Sequence, residues 1–406
     1  MKLTQAISKN NFRSLLWHAG FLSLAQNFID IDTVIPAMMV DSGGTAMHIG
    51  ILTAIMLGGS SFTQLIFAPF ISNYSFKKKF LLLGINSRIF ALLAISALLY
   101  YNSYLHGDYR ILMIFVLISI FSLGGAFSNI SYTDILGKSV DERSRKPFFS
   151  IRLVITGIIL LGSVFLARFV LTADEYPINY AHMFFIGFIA LAIASLGFWN
   201  LKEVVPSRLK VKSPAHFAHL IKTEIKENPK LGHFLGFINT MGISIGLLPF
   251  VVLYAKENFN TQSSDTADFL LFKVIGSVVM GLLLFAFARK FRYRNLLYLN
   301  VVFAFSIPLF LLLATINPPL GLVFFVGGLI FATYSITMNG VLLEVSGTTN
   351  RALYTGIAGA GNILPALFPL LGGWVIMQLG YQVFFIMYMA TILSSLYFIY
   401  KLKCRH

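Results

Sequence analysis

Two short stretches with one pattern lie far apart in the chain: FKKKFLLLG (Phe76–Gly84) and FRYRNLLYL (Phe291–Leu299). Each places a phenylalanine and basic residues before a pair of leucines. A second pair, RKPFFSI from Arg145 and RALYTGI from Arg351, places a base and then an aromatic residue at the start of an apolar run. Two matches at equivalent places indicate that the two halves of the chain are distant copies of one unit.

Composition indicates that both halves lie in a membrane. Of 406 residues, 57% are hydrophobic and 12% are charged, whereas a soluble protein has about 25% charged residues. Apolar runs long enough to cross the hydrocarbon core as helices occur about twelve times. We therefore predict an all-α polytopic membrane protein with twelve transmembrane helices in two pseudo-symmetric six-helix bundles.

The longest hydrophilic segment, residues 201–230, separates two sets of six spans. We predict an N-terminal six-helix bundle over residues 1–200, a cytoplasmic central loop over 201–230 and a C-terminal six-helix bundle over 231–406. Within the loop, Pro214 to Lys226 has apolar residues at helical spacing. This pattern predicts an amphipathic helix that lies along the membrane face.

The net charge of +15 comes largely from basic residues in alternate short loops. Cytoplasmic loops carry an excess of Lys and Arg. We therefore expect both termini to be cytoplasmic in a plasma (inner) membrane, and we do not expect a nucleic-acid partner. The basic clusters are Lys2, Lys9 and Arg13; Lys77, Lys78 and Lys79; Lys138, Arg143, Arg145 and Lys146; Arg289, Lys290, Arg292 and Arg294; and Lys401, Lys403 and Arg405.

The first span contains two acids in the stretch QNFIDIDTVIP, which begins at Gln26. An acid inside a span costs a few kcal/mol or more and usually has a function. On a regular helix Gln26, Asn27 and Asp30 share one face, and Asp32 lies about 200° further round from Asp30. Pro36 is able to distort the helix at this point. We interpret Asp30 and Asp32 as a proton- or cation-binding element; the alternative is that the span ends early and both acids lie at the surface.

Two bases also lie inside spans. Arg88, halfway along the third span, has three interpretations: an ion pair with Asp30, an anionic substrate as partner, or a structural or snorkelling side chain. Lys273, in the outer half of the eighth span, is interpreted as snorkelling outward toward Asp268.

Polar residues near mid-span are candidates for a substrate cavity, because a lipid-facing position leaves them unsatisfied. The alternative for each is a hydrogen bond that joins neighbouring helices. With Gln26, Asn27 and Arg88, the candidates are Asn129, Tyr132, Asn239, Tyr334, Asn339 and Asn362.

The layout of six plus six spans, the central loop and the repeated stretches resemble the major facilitator superfamily over essentially the whole chain. The family's signature after the second span has a Gly, an acid and a base, then a Gly and two bases. Here PFISNYSFKKK (Pro69–Lys79) keeps the last two bases as Lys77 and Lys78, with Asn73 in place of the acid. The resemblance implies that Lys77 and Lys78 take part in gating.

The stretch DTVIP from Asp32 is similar to the Asp-x-x-x-Pro of the first span in drug–proton antiporters of that family. This resemblance implies that Asp32 is the proton and cation site. Two other antiporter signatures are missing: FSLGGAFSN from Phe121 lacks the expected Arg, and the fifth span has only scattered glycines.

Two acids, Asp134 and Glu344, end the fourth and tenth spans at matching places. We expect them beside Arg145 and Arg351 of the following loops. In the resembled family such pairs close the cytoplasmic gate; the alternative is an ordinary salt bridge at a helix end.

The sequence has no phosphate-cradling loop, metal-ligand cluster or nucleophile triad, so we expect no enzyme activity, no cofactor and no metal. Our leading hypothesis is a monomeric, proton-coupled secondary transporter that works by alternating access and exports amphipathic or cationic compounds, with a small molecule, protons and the bilayer as partners. The alternative is a proton-coupled importer (symporter) of a nutrient or metabolite. A hypothesis from another class is a transport-inactive membrane receptor or scaffold.

Overall fold

A computed structural model of the chain shows helices joined by turns and short loops over the residues it describes, which are 3–101, 107–206, 222–287, 292–314, 319–346, 357–359 and 361–402. Nine helical stretches, counted over these residues, are long and apolar enough to cross a membrane. With the broken first span, the second span and the two spans merged in the last helix, the predicted all-α architecture of twelve membrane helices is confirmed. The helices are α1 (Gln5–Gln26), α2 (Val34–Asp41), α3 (Ala46–Ser72), α4 (Lys78–Tyr100), α5 (Gly107–Ser139), α6 (Glu142–Ala173), α7 (Ile178–Trp199), α8 (Pro229–Met241), α9 (Leu248–Phe259), α10 (Ser263–Ala286), α11 (Tyr293–Leu313), α12 (Leu320–Ser346) and α13 (Leu364–Leu402).

The first and seventh spans are broken helices. A 3₁₀ turn at Asn27–Ile29 follows α1, and a 3₁₀ segment at Gly242–Gly246 follows α8. These two breaks begin 215 positions apart (242 − 27), which is also the spacing of the matching phenylalanines Phe76 and Phe291. The internal repeat therefore extends from the loop sequences to the backbone.

The eleventh and twelfth spans meet inside α13 at Gly380. Its backbone has φ 83° and ψ 173°, a region that is accessible essentially to glycine alone. Residues on either side of Gly380 have helical geometry, so this one residue divides a 39-residue helix into two spans.

Packing groups the chain into two units. The first unit comprises Met1–Asp30 and Phe62–Phe217, and the second comprises Ile31–Ser61 and Ala218–His406. In the first unit α4 packs on α5 and α7, and α1 packs on α6 and α7. In the second unit α10 packs on α12, α8 packs on α13, and α2 packs on α9 and α10. The chain thus passes from one packing unit to the other directly after Asp30, at the break in the first span.

Some sequence-based predictions stay untested by this architecture. The bundles over residues 1–200 and 231–406 remain a prediction from the sequence pattern. Most of the predicted amphipathic helix from Pro214 to Lys226 lies outside the described residues, although residues 222–227 are helical. Arg351 also lies outside them.

Candidate functional site

A buried ion pair lies at the break in the first span. The Nζ atom of Lys273, on α10, is 2.5 Å from Oδ2 of Asp32, and the two side chains are 9% and 5% exposed. The same Nζ lies 5.9 Å from the centre of the Phe331 ring on α12. All three residues belong to the second unit. Two opposite charges are thus held together, one on α10 and one at the break in the first span.

The local sequence explains why the break presents Asp32. The α1 helix ends at Gln26, and Asp30 leaves helical geometry with φ −62° and ψ 124°. Pro36 is the third residue of α2, where the missing N–H costs nothing because the first N–H groups of a helix have no partner within it. Asp32 directly precedes the α2 N-cap residue, Thr33. The partial positive charge at the start of α2 therefore stabilises the carboxylate in addition to Lys273.

Two expectations about this region are wrong. Lys273 does not snorkel outward, because its side chain is buried against Asp32. Gln26, Asn27 and Asp30 do not share one α-helical face, because the α-helix ends at Gln26. Gln26 is exposed, whereas Asn27 is buried and donates hydrogen bonds of 2.8 Å to the Leu160 carbonyl and to Ser163 Oγ. In this structure Asn27 joins two helices of the first unit, and Asp30 is half-buried.

A second charged group lies where α4 begins and α5 ends, within the first unit. Asp134 accepts Lys77 Nζ at 3.1 Å and Lys138 Nζ at 2.8 Å, and Lys138 also lies 2.7 Å from Glu203. The Glu203 carboxylate accepts the backbone N–H groups of Lys77 and Lys78 at 2.8 and 2.7 Å. Glu203 therefore satisfies N–H groups at the start of α4 that have no partner within the helix.

The partner expected for Asp134 is wrong. Arg145 donates to the backbone carbonyls of Gly137 and Val140. Because the connection between α5 and α6 is short, Arg145 reaches back to the C-terminal end of α5, where carbonyl groups lack helical partners. Lys138 and Glu203 were missed from the sequence; Lys138 stands four residues after Asp134, a spacing that predicts an ion pair on a helix.

Among the cavity candidates of the second unit, Asn239 has a structural arrangement. Its Nδ2 donates to the carbonyls of Leu235 at 2.8 Å and Gly361 at 2.7 Å. Its Oδ1 accepts the N–H groups of Ile363 at 3.1 Å and Leu364 at 2.8 Å. The side chain therefore joins α8 to the start of α13, which agrees with the helix-joining alternative.

Tyr334 and Asn362 lie at the break in the seventh span. A Cβ added to Gly242 would be 3.0 Å from Tyr334 Oη and 3.3 Å from Asn362 Oδ1. Tyr334 is buried and stacks on Phe237, while Asn362 Oδ1 is buried without a hydrogen-bond partner among the described residues. Asn339, on α12, is exposed and donates to the Ser335 carbonyl.

The remaining cavity candidates lie in the first unit. The Arg88 guanidinium lies over the Phe121 ring at 4.3 Å, and its Nε atom is buried without a hydrogen-bond partner in the described part of the chain. The suggested ion pair with Asp30 is not among its contacts there. Tyr132 Oη accepts a hydrogen bond of 3.4 Å from Arg152, and Asn129 is exposed.

Within the residues described, no group of three or more His, Cys, Asp or Glu side chains is arranged to hold a metal ion. The polar groups described above form ion pairs and helix-joining hydrogen bonds, and Arg88 contacts an aromatic ring. Of these, the buried Asp32–Lys273 pair is the arrangement that one added proton would change most, because the proton would cancel the negative charge of the pair.

Comparison with known proteins places these features in a family. The family model described as Major Facilitator Superfamily matches residues 16–362. A comparison with curated protein sequences finds no significant match.

Solved structures share the fold over nearly the full length. A nucleoside transporter, NupG, aligns with a TM-score of 0.69 and 13% identity over 97% of this chain and 98% of its own. A peptide transporter, POT, in complex with alafosfalin aligns with a TM-score of 0.67 and 12% identity over 98% of both chains. A D-xylose–proton symporter aligns with a TM-score of 0.66 and 13% identity over 97% of this chain and 99% of its own. Because the family model covers most of the sequence and these structures share its fold, the chain belongs to the major facilitator superfamily, a family of membrane transporters and not of enzymes.

Proposed function

We propose that this chain is a proton-coupled secondary transporter whose coupling group is Asp32. The observation that carries the proposal is the buried ion pair between Asp32 and Lys273. A proton that binds Asp32 cancels the carboxylate and removes its attraction for the Lys273 ammonium, so the cost of keeping that ammonium buried is less well compensated. Protonation would therefore favour a second arrangement in which Lys273 is solvated or paired elsewhere.

Such a group couples two equilibria. A ligand shifts a conformational equilibrium only as far as its binding energy differs between the two states. A proton on Asp32 meets this condition, because the energy of the ion pair exists only in the state that holds Asp32 against Lys273. In the proposed transporter, that difference links proton binding to alternating access in an inner membrane, with both termini on the cytoplasmic side.

Export of amphipathic or cationic compounds stays a prediction from the sequence. It assumes that Asp32 is open to a cation. The carboxylate already accepts the Lys273 ammonium, so a cationic substrate would have to displace a buried lysine.

A second candidate is proton-coupled import of a polar nutrient or metabolite. The observation that favours it is the buried Arg88 Nε atom, which has no hydrogen-bond partner in the described part of the chain. A polar substrate is able to supply that partner. The D-xylose–proton symporter, by its name, pairs a polar solute with protons on the same fold.

The test is proton flux in liposomes that contain the purified protein and an internal pH dye. The compounds are uridine, dialanine, D-xylose, succinate, phenyl phosphate and tetraphenylphosphonium, each added outside. We expect one of them to move protons, into the liposome for symport and out of it for antiport. We expect Asp32→Asn to abolish this flux and to leave equilibrium exchange of the same compound intact.

Asp30→Asn is the matched control, because it removes the same charge two residues away. We expect it to keep coupled flux. If the Asp32→Asn protein still concentrates the compound against its gradient, Asp32 is not the coupling group. If only Asp30→Asn abolishes coupling, the proton site is Asp30.

A further inference from the structure

Two arginines lie on neighbouring parts of the first unit and contact the same helix. Arg88 is on α4 and Arg152 is on α6, and both contact aromatic residues of α5. We propose that Arg88 binds the acidic group of the transported compound while Arg152 adds a second positive charge to the same helix face, so that the substrate is an organic anion carrying a carboxylate or a phosphate. This inference rests on the proposed transport function and names its substrate class.

One face of α5 carries the residues that connect the two arginines. Phe121, Gly125, Asn129 and Tyr132 follow one another at spacings of four, four and three residues, which places them in one stripe along the helix. Phe121 contacts Arg88 at one end, and Tyr132 contacts Arg152 at the other. Asn129, between them, is exposed.

Arg88 lies close against the backbone of α5. A Cβ added to Gly125 would be 3.9 Å from Arg88 Cζ and Nε, and one added to Gly124 would be 3.0 Å from Arg88 Cγ. A larger side chain at Gly124 would therefore crowd the arginine. The glycine pair leaves room for the guanidinium between α5 and the Phe121 ring, 4.3 Å away.

Among the residues that the structure describes, no acid forms an ion pair with Arg88. Its Nε atom is buried and has no hydrogen-bond partner among the residues described. A guanidinium stays protonated in proteins, and a buried donor without an acceptor costs free energy. An incoming acceptor is therefore favoured, and a planar acidic group matches the guanidinium fork with two parallel hydrogen bonds.

Arg152 adds a second positive charge to the same face. It donates to Tyr132 Oη at 3.4 Å, and its Cζ lies 5.8 Å from the centre of the Tyr132 ring. The buried His18 ring, stacked on Phe198 at 3.6 Å, lies within electrostatic range of both arginines. A cationic substrate would meet two like charges here, whereas an anion would meet two opposite ones.

Depth argues for a dissolved anion as the ligand. Arg88 is ten residues after Lys78, the first residue of α4, and Arg152 is ten residues after Glu142, the first residue of α6. At about 1.5 Å per residue, both Cα atoms lie about 15 Å along their helices. In the 32-residue α6, which begins in the basic loop, this places Arg152 toward the edge of a hydrocarbon core about 30 Å thick, but in the 23-residue α4 it places Arg88 near the middle. Lipid headgroups lie at the membrane surface instead. An amide exposed to lipid inside the hydrocarbon core is unfavourable, so we expect the exposed Asn129 to line the cavity that admits the anion.

The test is ligand binding to the detergent-purified protein, measured as a rise in melting temperature and by calorimetric titration. The probes are succinate, phenyl phosphate and inorganic phosphate, with D-xylose and tetraphenylphosphonium as neutral and cationic comparisons. We expect saturable stabilisation by an organic anion, at least a tenfold loss of affinity in Arg88→Gln and a smaller loss in Arg152→Gln. Arg168→Gln is the matched control, because it removes the same charge from an exposed position on α6, and we expect no loss.

Arg88→Lys keeps the charge without the guanidinium fork, and it serves if Arg88→Gln does not fold. We expect weakened anion binding at an unchanged melting temperature without ligand. Equal anion stabilisation of the wild type and both Arg88 variants would overturn the proposal, as would stabilisation by D-xylose or tetraphenylphosphonium alone. Stabilisation by added phosphatidylglycerol, with no binding of any of the organic anions, would assign the site to a lipid headgroup and would also overturn it.

Binding separates this inference from the proposed coupling role. Anion binding to the detergent-purified protein is measured without a proton gradient, so it does not depend on the coupling role of Asp32. If the anion binds but moves no protons in liposomes, the coupling proposal fails and the substrate class stands. If a neutral or cationic compound drives protons and Arg88→Gln transports it normally, the coupling proposal stands and the anion site fails.

Discussion

Replacing Lys273 with methionine tests the central ion pair through the stability of the protein. The substitution keeps a flexible apolar stem of similar length and removes the ammonium that lies 2.5 Å from Asp32. Asp32 is then left with its carboxylate 5% exposed and without this cation. We expect a large loss in the free energy of unfolding.

The magnitude follows from the burial of the pair. At 2.5 Å and an effective dielectric constant of about 20, the gross attraction is about 7 kcal/mol. Desolvation of the two ions costs several kcal/mol each, so the intact pair contributes little net stability. Removal of one partner, however, leaves the desolvation of the other uncompensated, which costs about 3–5 kcal/mol.

The assay is reversible unfolding of the purified protein in mixed micelles, with the wild type, Lys273→Met, Asp32→Asn and the double variant compared. We expect each single variant to lose about 3–5 kcal/mol and the double variant to recover at least about 2 kcal/mol of that loss, because no buried charge is left unpaired. Lys256→Met is the matched control: it also removes a lysine from an ion pair, but its partner Asp41 is 21% exposed, so a smaller loss of about 1 kcal/mol is expected.

Two results would refute this reasoning. One is a Lys273→Met protein that loses no more stability than Lys256→Met. The other is a double variant that is as unstable as the worse single variant, which would mean that Asp32 and Lys273 do not act on each other.

Two further predictions concern the backbone around these sites. The Nζ atom of Lys256 lies 2.6 Å from the carboxylate of Asp41, the last residue of α2. We expect Lys256→Gln to raise severalfold the maleimide labelling rate of a cysteine introduced at buried Met38, measured in detergent on a protein that also carries Cys404→Ser. An unchanged rate would show that the pair does not hold α2 in place. Gly380 has φ 83°, so we expect Gly380→Ala to destabilise the protein by about 1–3 kcal/mol. Gly281 lies in open space on α10, and we expect Gly281→Ala to be neutral or slightly stabilising. Equal melting temperatures for the two variants would contradict the argument that Gly380 prevents backbone strain.

The break in the first span shows how far local sequence reasoning reaches. Two acids inside an apolar run and a proline after them predicted an ion-binding element with a distorted helix, and the α-helix does end at Gln26 and resume at Val34. The shared face of Gln26, Asn27 and Asp30 assumed that the helix continues through them. That assumption failed because a regular period holds only while i to i−4 hydrogen bonds continue.

The partners of the charges at the start of α4 show the same limit of reasoning from the sequence. Asn73 stands where the resembled family has an acid, and the sequence offered no substitute. In the structure, two acids from distant parts of the first unit contact Lys77. Asp134 pairs with its side chain, and Glu203 accepts its backbone N–H. The bases were visible in the sequence, but their partners depend on which helices pack together.

The sequence by itself determined the number of spans, the internal repeat and the residues that carry charge into the membrane, because these follow from hydropathy, spacing and the cost of burying a charge. Only the tertiary structure decided the partners: Lys273 lies 241 positions after Asp32 (273 − 32) and contacts it at 2.5 Å. Periodicity describes neighbours along one helix. Contacts between helices depend instead on how the helices pack, and the free energy that selects a partner for a buried charge comes from that packing.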